Sequence, residues 1–218
     1  MQRTGDQYVP ALSRDWLTPF YDSVIRWTMP ELKIKHQLIR QVRIKRDDRV
    51  LDLGCGTATL TLLTKTLHGD ASIVGIDGDP KILAIASRKA KEQGVDVTFD
   101  HGMAFSLAYD DSSFDRIISS LVFHHMTRDN KAKALHEANR VLRSGGELHI
   151  ADFGKPQNAL MTIASLPWRL FDAKTTADNM KGLMPDLMRN AGFVEVRESG
   201  RYMSMFGSIC IYAARKPN

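Results

Sequence analysis

Two aspartates and two glycines stand at spacings that could hold a nucleoside-bearing ligand. Asp52, Gly54 and Gly56 fall in the run Arg49-Val50-Leu51-Asp52-Leu53-Gly54-Cys55-Gly56-Thr57-Ala58-Thr59-Leu60, and Asp77 closes the next apolar run. Glycine after a strand lets the backbone approach a ligand closely, and the helix that follows presents unpaired N–H groups. An acid at the end of the second strand suits ribose hydroxyls. A dinucleotide loop would carry a third glycine where Thr59 stands. A lone carboxylate before the loop, Asp52, instead suits a ligand with a positively charged amino group. The other reading, a tight turn with no ligand, has to explain four contextual features at once: the strand, Asp52, the helix and Asp77.

A second set of candidate groups lies downstream. His124 and His125 directly follow a predicted strand, and histidine titrates in the range a general base needs. Each could instead shape its loop or bond to backbone. Asp152 ends a further strand and faces the same edge, where a structural hydrogen bond is its simpler role. No metal set stands out, because the seven histidines are scattered and His124-His125 are adjacent, poor geometry for one ion.

The elements that must position these groups alternate. Strands are predicted at 50–53, 72–76, 95–99, 116–120 and 147–151, with helices at 57–67, from Asp79-Pro80, and at 129–142. Asp79 reads as an N-cap and Pro80 as the first helical residue, and Gly145-Gly146 as the stop of the third helix. Such alternation implies a parallel sheet covered on both faces. A short helix at 185–190 and strands at 193–197 and 208–214 finish the chain. Residues 12–43 read as helical, interrupted near Thr18-Pro19 and Met29-Pro30. Ile34, Leu38 and Val42 form its apolar face. Lys33, Lys35, Arg40, Arg43, Lys45 and Arg46 crowd the rest.

Composition narrows the class. The chain has 218 residues, 43% hydrophobic and 25% charged, with a formal charge of +5. That size supports one core without disulfides. Cys55 and Cys210 are far apart and form no CxxC pair, which implies reduced thiols and a cytoplasmic setting. No apolar run reaches the roughly 20 residues of a membrane span, and the N-terminus lacks an apolar signal core.

Residues 49–152 resemble the class I S-adenosylmethionine-dependent methyltransferases, in the motifs VLDLGCGTA, GIDGDP, SFDRIISSLVFHHM and LRSGGELHIADF. The layout is most similar to the ubiquinone/menaquinone C-methyltransferase-like group. The resemblance implies a Rossmann-like, seven-stranded, mostly parallel sheet with helices on both faces and the last strand antiparallel. It implies an N-terminal helical cap (1–45) and a catalytic domain (46–218) with a lid-like insertion at about 155–183. The cofactor would be S-adenosyl-L-methionine, with S-adenosyl-L-homocysteine as product. Asp52, Gly54, Cys55, Gly56 and Thr59 would lie near its methionine end, Asp77 on the ribose, Gly78 beside the adenine, and Ser120 and Leu121 close by. The family often carries Gly-Asp-Ala after strand three. Here the run is Gly102-Met103-Ala104, so Met103 cannot accept the adenine amino group as an acid would, while the Ala104 N–H still could reach a ring nitrogen. Ala58 replaces a further loop glycine.

The same resemblance makes His125, His124 and Tyr21 the catalytic candidates. Tyr21 and Asp22 match a spacing seen in quinone methyltransferases, where the N-terminal helix covers the cofactor; helix packing is the other reading of Tyr21. Apolar residues of the insertion (Leu160, Met161, Ile163, Leu166, Trp168, Leu170, Phe171, Met180, Leu183, Met184) suit a small apolar or aromatic acceptor, or belong in part to the core. A quinone precursor, a polyketide-type phenol or a phospholipid amine would all fit. Two competing readings remain. The basic stretch 33–46 could bind RNA phosphates or an anionic membrane surface, or simply be a solvated face. RNA is disfavoured because SSLVFHH replaces the Asn/Asp-Pro-Pro-aromatic motif of base N-methyltransferases, and no aromatic residues interleave the basic run. The third reading is a cofactor-binding protein without catalysis, favoured only by Met103.

Overall fold

A computed structural model describes residues 31–164, 173–204 and 207–218. Its centre is a seven-stranded sheet: β1 (Arg49–Leu53), β2 (Ser72–Asp77), β3 (Thr98–His101), β4 (Phe114–Ser120), β5 (Leu142–Phe153), β6 (Val194–Ser204) and β7 (Gly207–Arg215). The strand order is β3-β2-β1-β4-β5-β7-β6. β7 runs antiparallel to both its neighbours, and the pairs among β1–β5 are parallel. The chain leaves β1 toward β2 and β3, then returns to β4 on the other side. That reversal opens a crevice at the carboxyl edge between β1 and β4. The motif residues sit along this edge.

The helices are α1 (Glu31–Val42), α2 (Thr59–Leu67), α3 (Pro80–Gln93), α4 (Arg128–Val141), α5 (Ala159–Ala164), α6 (Ala173–Met180) and α7 (Met184–Asn190). A 3-10 turn at Phe123–His125 follows β4. Strands buried on both faces read as continuous apolar runs, which is why β1, β2 and β4 were legible. One apolar cluster joins Leu51, Leu53, Ile117, Leu148 and Ile150 to α4 and α7. A second joins Ile34, Leu38, Ile39 and Val42 of α1 to Val50, Leu60, Ile118 and Ala151.

The expected caps of α3 are present: the Asp79 side chain accepts from Lys81 N, and Pro80 is the first helical residue. Several boundaries differ from expectation. β3 begins at Thr98 rather than 95: Gly94 takes a left-handed C-cap, Val95 N bonds back to Ala90 O, and 95–97 connect the helix to the strand before pairing starts. α2 begins at Thr59 rather than 57, because Ala58 is left-handed. α4 ends at Val141, ahead of Gly145-Gly146. Leu142 is already extended and pairs with Phe114. The two glycines lie inside β5, where a side chain on Gly146 would press on the Arg143 and Asp115 carbonyls. No described helix is long and apolar enough to cross a membrane. Tyr21 and Asp22, the helical breaks near Pro19 and Pro30, and Leu166, Trp168, Leu170 and Phe171 lie outside the described residues.

The basic stretch is divided. Lys33, Arg40, Arg43, Lys45 and Arg46 are exposed, with Arg46 3.4 Å from Asp70, but Lys35 is buried. The stretch expected to form an insertion is divided too: Met161 and Met180 are buried, as is Met184 just after it, while Leu160 and Ile163 stand in solvent.

Candidate active site

Gly54 and Cys55 both donate their N–H to Ile76 O at 2.9 Å, so the turn leaving β1 is pinned to the end of β2. Gly56 N then donates to Asp77 Oδ2 at 2.9 Å, and Asp79 N to Asp77 Oδ1 at 3.0 Å. Gly102 N bonds Asp77 O at 3.0 Å and brings the Gly102-Met103-Ala104 run beside the same acid. Burial raises the Asp77 carboxyl above its ordinary value, and the N–H donors work against that shift. The carboxylate is therefore costly to keep charged and well placed to take further donors.

Gly54 meets two requirements at once. Its φ is +74°, and an added Cβ would stand 2.6 Å from both Val122 methyls. Gly54→Ala is expected to destabilise the fold by about 2–4 kcal/mol, summing left-handed strain and overpacking, read as a fall in Tm of roughly 5–15 °C. Adding Val122→Ala should return the packing part in a double-mutant cycle; strict additivity would show that the contact does not matter. Ala58, at φ 66°, keeps the left-handed geometry without glycine. Its methyl packs with Leu62, Ala86 and Ala90, which offsets the strain.

Asp52 lies under the loop, 1% exposed, and accepts from Thr61 Oγ1 at 2.7 Å. Burial pushes its pKa up to about 6, against the Thr61 hydrogen bond and the Lys35 charge. A buried carboxylate of that kind fits a ligand cation that replaces its lost hydration. The Cys55 thiol is driven far above its usual range by burial, with Asp52 and Asp77 adding to it, so it offers no nucleophile at neutral pH.

On the other side of the crevice, Ser120 pairs with Ala151 across β4 and β5, and Leu121 N bonds Ala151 O at 2.8 Å. Leu121 has φ +61°, which a branched side chain seldom adopts. The chain then folds the 3-10 turn over Asp152. Asp152 is fully buried and accepts from Val122 N (3.1 Å), His124 N (3.3 Å), Phe153 N (2.7 Å) and His124 Nδ1 (2.9 Å). Burial alone would raise this carboxyl, but His124 and the N–H donors outweigh it and hold it below its ordinary value. A carboxylate can only accept, so His124 Nδ1 carries a proton toward Asp152, and the ring presents its Nε2 edge away from that bond. The His124 ring packs edge-on against Phe153 and 3.9 Å from the His125 ring. His125 is held neutral, its pKa lowered to about 3 by burial and by His124. Among the described residues, no group of three or more His, Cys, Asp or Glu could hold a metal ion.

A model of the methyltransferase domain matches residues 50–146. The ubiquinone/menaquinone biosynthesis C-methyltransferase UbiE of Teredinibacter turnerae is 31% identical over 188 residues, 76% of this chain and 73% of that protein. The chain belongs to the class I S-adenosylmethionine-dependent methyltransferases. The demethylmenaquinone methyltransferase of Thermus thermophilus is 34% identical over 142 residues, 64% of each chain. The chain spans only part of some curated relatives, 64% of the Thermus protein and 51% of the UbiE protein of Bdellovibrio bacteriovorus. The YcgJ protein of Bacillus subtilis shares the fold, with a TM-score of 0.68 at 19% identity over 85% of this chain and 99% of that one.

In this class I methyltransferase chain, the fold gathers Asp52, Gly54, Cys55, Gly56, Thr59, Asp77, Gly78, Met103, Ala104, Ser120 and Leu121 along one edge, with His124 and His125 beside them. Three contributors were not singled out from the sequence. Thr61 lies in the first turn of α2, where its hydroxyl reaches back to Asp52. Val122 fills the space above Gly54. Lys35 sits next to Ile34 on the inward face of α1, and its place in a basic run hid that position.

Proposed function

We propose that this methyltransferase chain transfers a methyl group from S-adenosylmethionine to a small apolar or aromatic acceptor, with His124 as the base. The observation that carries the reading is one crevice edge with the glycine loop on one side and the Asp152-held His124 on the other. When bound, S-adenosylmethionine supplies an electrophilic methyl group and leaves as the neutral thioether. Asp52 receives the ammonium of the methionine end beside the glycine loop, Asp77 the ribose hydroxyls, and Gly78, Met103 and Ala104 surround the adenine. Ser120 and Leu121 line the β4 side.

The protein's part is to hold the acceptor in line and accept its proton. Asp152 fixes the His124 ring, so the proton from an acceptor hydroxyl, amine or activated carbon passes to Nε2. His125, already neutral and weakly basic, packs against that ring and limits its motion. The quinone-type relatives and the buried methionines of the insertion support a small acceptor. A nucleic acid or a membrane surface is not needed to explain the basic stretch, whose inward lysine is buried.

The test is calorimetric binding of S-adenosylhomocysteine, followed by transfer of labelled methyl from S-adenosylmethionine to a panel of hydroquinones, phenols and amines. Tight binding and labelling of one class are expected. Absence of binding would overturn the reading; binding without labelling of any class would favour a non-catalytic role.

Donor affinity should also depend on pH. A protonated Asp52 cannot pair with the donor's ammonium, so binding favours the ionised form and lowers its pKa from about 6. Affinity should therefore be constant above that value and fall toward tenfold per unit below it, roughly tenfold between pH 7.5 and 5. Titrations at the two pH values check this, and Asp52→Asn should flatten the profile.

A further inference from the structure

Lys35 is 8% exposed and lies on the side of α1 that packs on the sheet. A lysine so placed needs a partner. Glu31, one turn earlier and also largely covered, pairs with its Nζ. Across the interface, the Lys35 charge acts on Asp52 beneath the glycine loop.

The direction of α1 explains the meeting. Near its carboxyl end, Val42 O accepts from Arg116 Nε at the start of β4, and Gln41 Nε2 reaches to 3.1 Å from His149 Nδ1, which is level with Ile118 and Asp52 in the sheet. Lys35 is six residues earlier, about 9 Å along the helix. It therefore rises toward the carboxyl edge, where the glycine loop lies. Leu60 of α2 and Ile118 of β4 share its apolar surroundings.

The donor's methionine end is a zwitterion. Its ammonium has Asp52. Its carboxylate needs a donor, and residues 52–63 include no lysine or arginine. The acids at this edge, Asp52, Asp77 and Asp152, would repel it. Among the described residues, Lys35 is a buried cation whose charge reaches Asp52.

We propose that Lys35 of the N-terminal helix binds the α-carboxylate of S-adenosylmethionine, with Glu31 orienting its Nζ. This rests on the donor-binding reading above. It makes α1 part of the donor site, so cap and catalytic domain bind the donor together.

The probes are S-adenosylmethionine and decarboxylated S-adenosylmethionine, which keeps the sulfonium, nucleoside and ammonium but lacks the carboxylate. The wild-type chain should prefer the carboxylated form by about tenfold to a hundredfold, the span of one charge-assisted hydrogen bond. Lys35→Met should abolish that preference while binding the decarboxylated form within about threefold of wild type. Lys35→Arg, which keeps the charge, should retain most of the preference. A Lys35→Met protein that still prefers the carboxylated form overturns the proposal, as does one that weakens both equally while Lys35→Arg binds normally. Wild-type protein that binds neither probe overturns the donor-binding reading instead.

Discussion

His124→Ala should cut methyl transfer about a hundredfold to ten-thousandfold, the usual contribution of a positioned base, with S-adenosylhomocysteine affinity within about twofold of wild type. The contrast follows from where His124 sits. It is held by Asp152 at the end of β5 and touches neither the glycine loop nor Asp77 through any hydrogen bond among the described residues. Asp152→Asn should behave almost as badly. An asparagine amide can donate to Nδ1, which moves the ring proton to Nε2 and removes the acceptor. His125→Ala should cost far less, because burial leaves that ring weakly basic and, among the described residues, no carboxylate bonds it. Single-turnover rates with the acceptor class found by labelling decide the matter. A normal rate in His124→Ala would remove it from proton transfer.

Asp77→Ala should weaken S-adenosylmethionine binding at least tenfold, and here the loss is in binding rather than in the chemical step. Two contributions add. The carboxylate would accept from ribose hydroxyls, and charge-assisted bonds of that kind are the strong ones. It also anchors Gly56 N and Asp79 N, so the variant loosens the donor loop itself. Asp77→Asn separates the two, since its amide oxygen can still take one N–H but carries no charge. Calorimetry on both variants, with melting temperatures alongside, reads each part. Unchanged affinity in Asp77→Ala would sink the ribose assignment.

Much of this site could be read before any coordinates because it depends on local rules. Apolar runs ending in Asp52-x-Gly54 and in Asp77, and the Asp79-Pro80 helix start, follow from strand burial and capping, which act within a few residues. What escaped the sequence depends on contacts between distant segments. Ala58 looks like an ordinary helix former, yet the turn from β1 sets it left-handed and its methyl is accepted by α3. Lys35 looks like one cation among several, yet its turn of α1 faces inward. The roles of the two histidines were not separable by sequence, since only the approach of β5 gives one of them a carboxylate. β3 starts at Thr98 rather than 95 because Val95 N is bonded back to the end of the preceding helix.

The methyls of Val122 occupy the space that a side chain on Gly54 would need. Val122 is two residues from His124, and Gly54 two from Asp52. A library that randomises 121–125 to change acceptor preference will therefore disturb donor affinity whenever position 122 grows, and a change of donor loop will be felt by the base. For anyone evolving this chain toward a new substrate, positions 54 and 122 form one design variable.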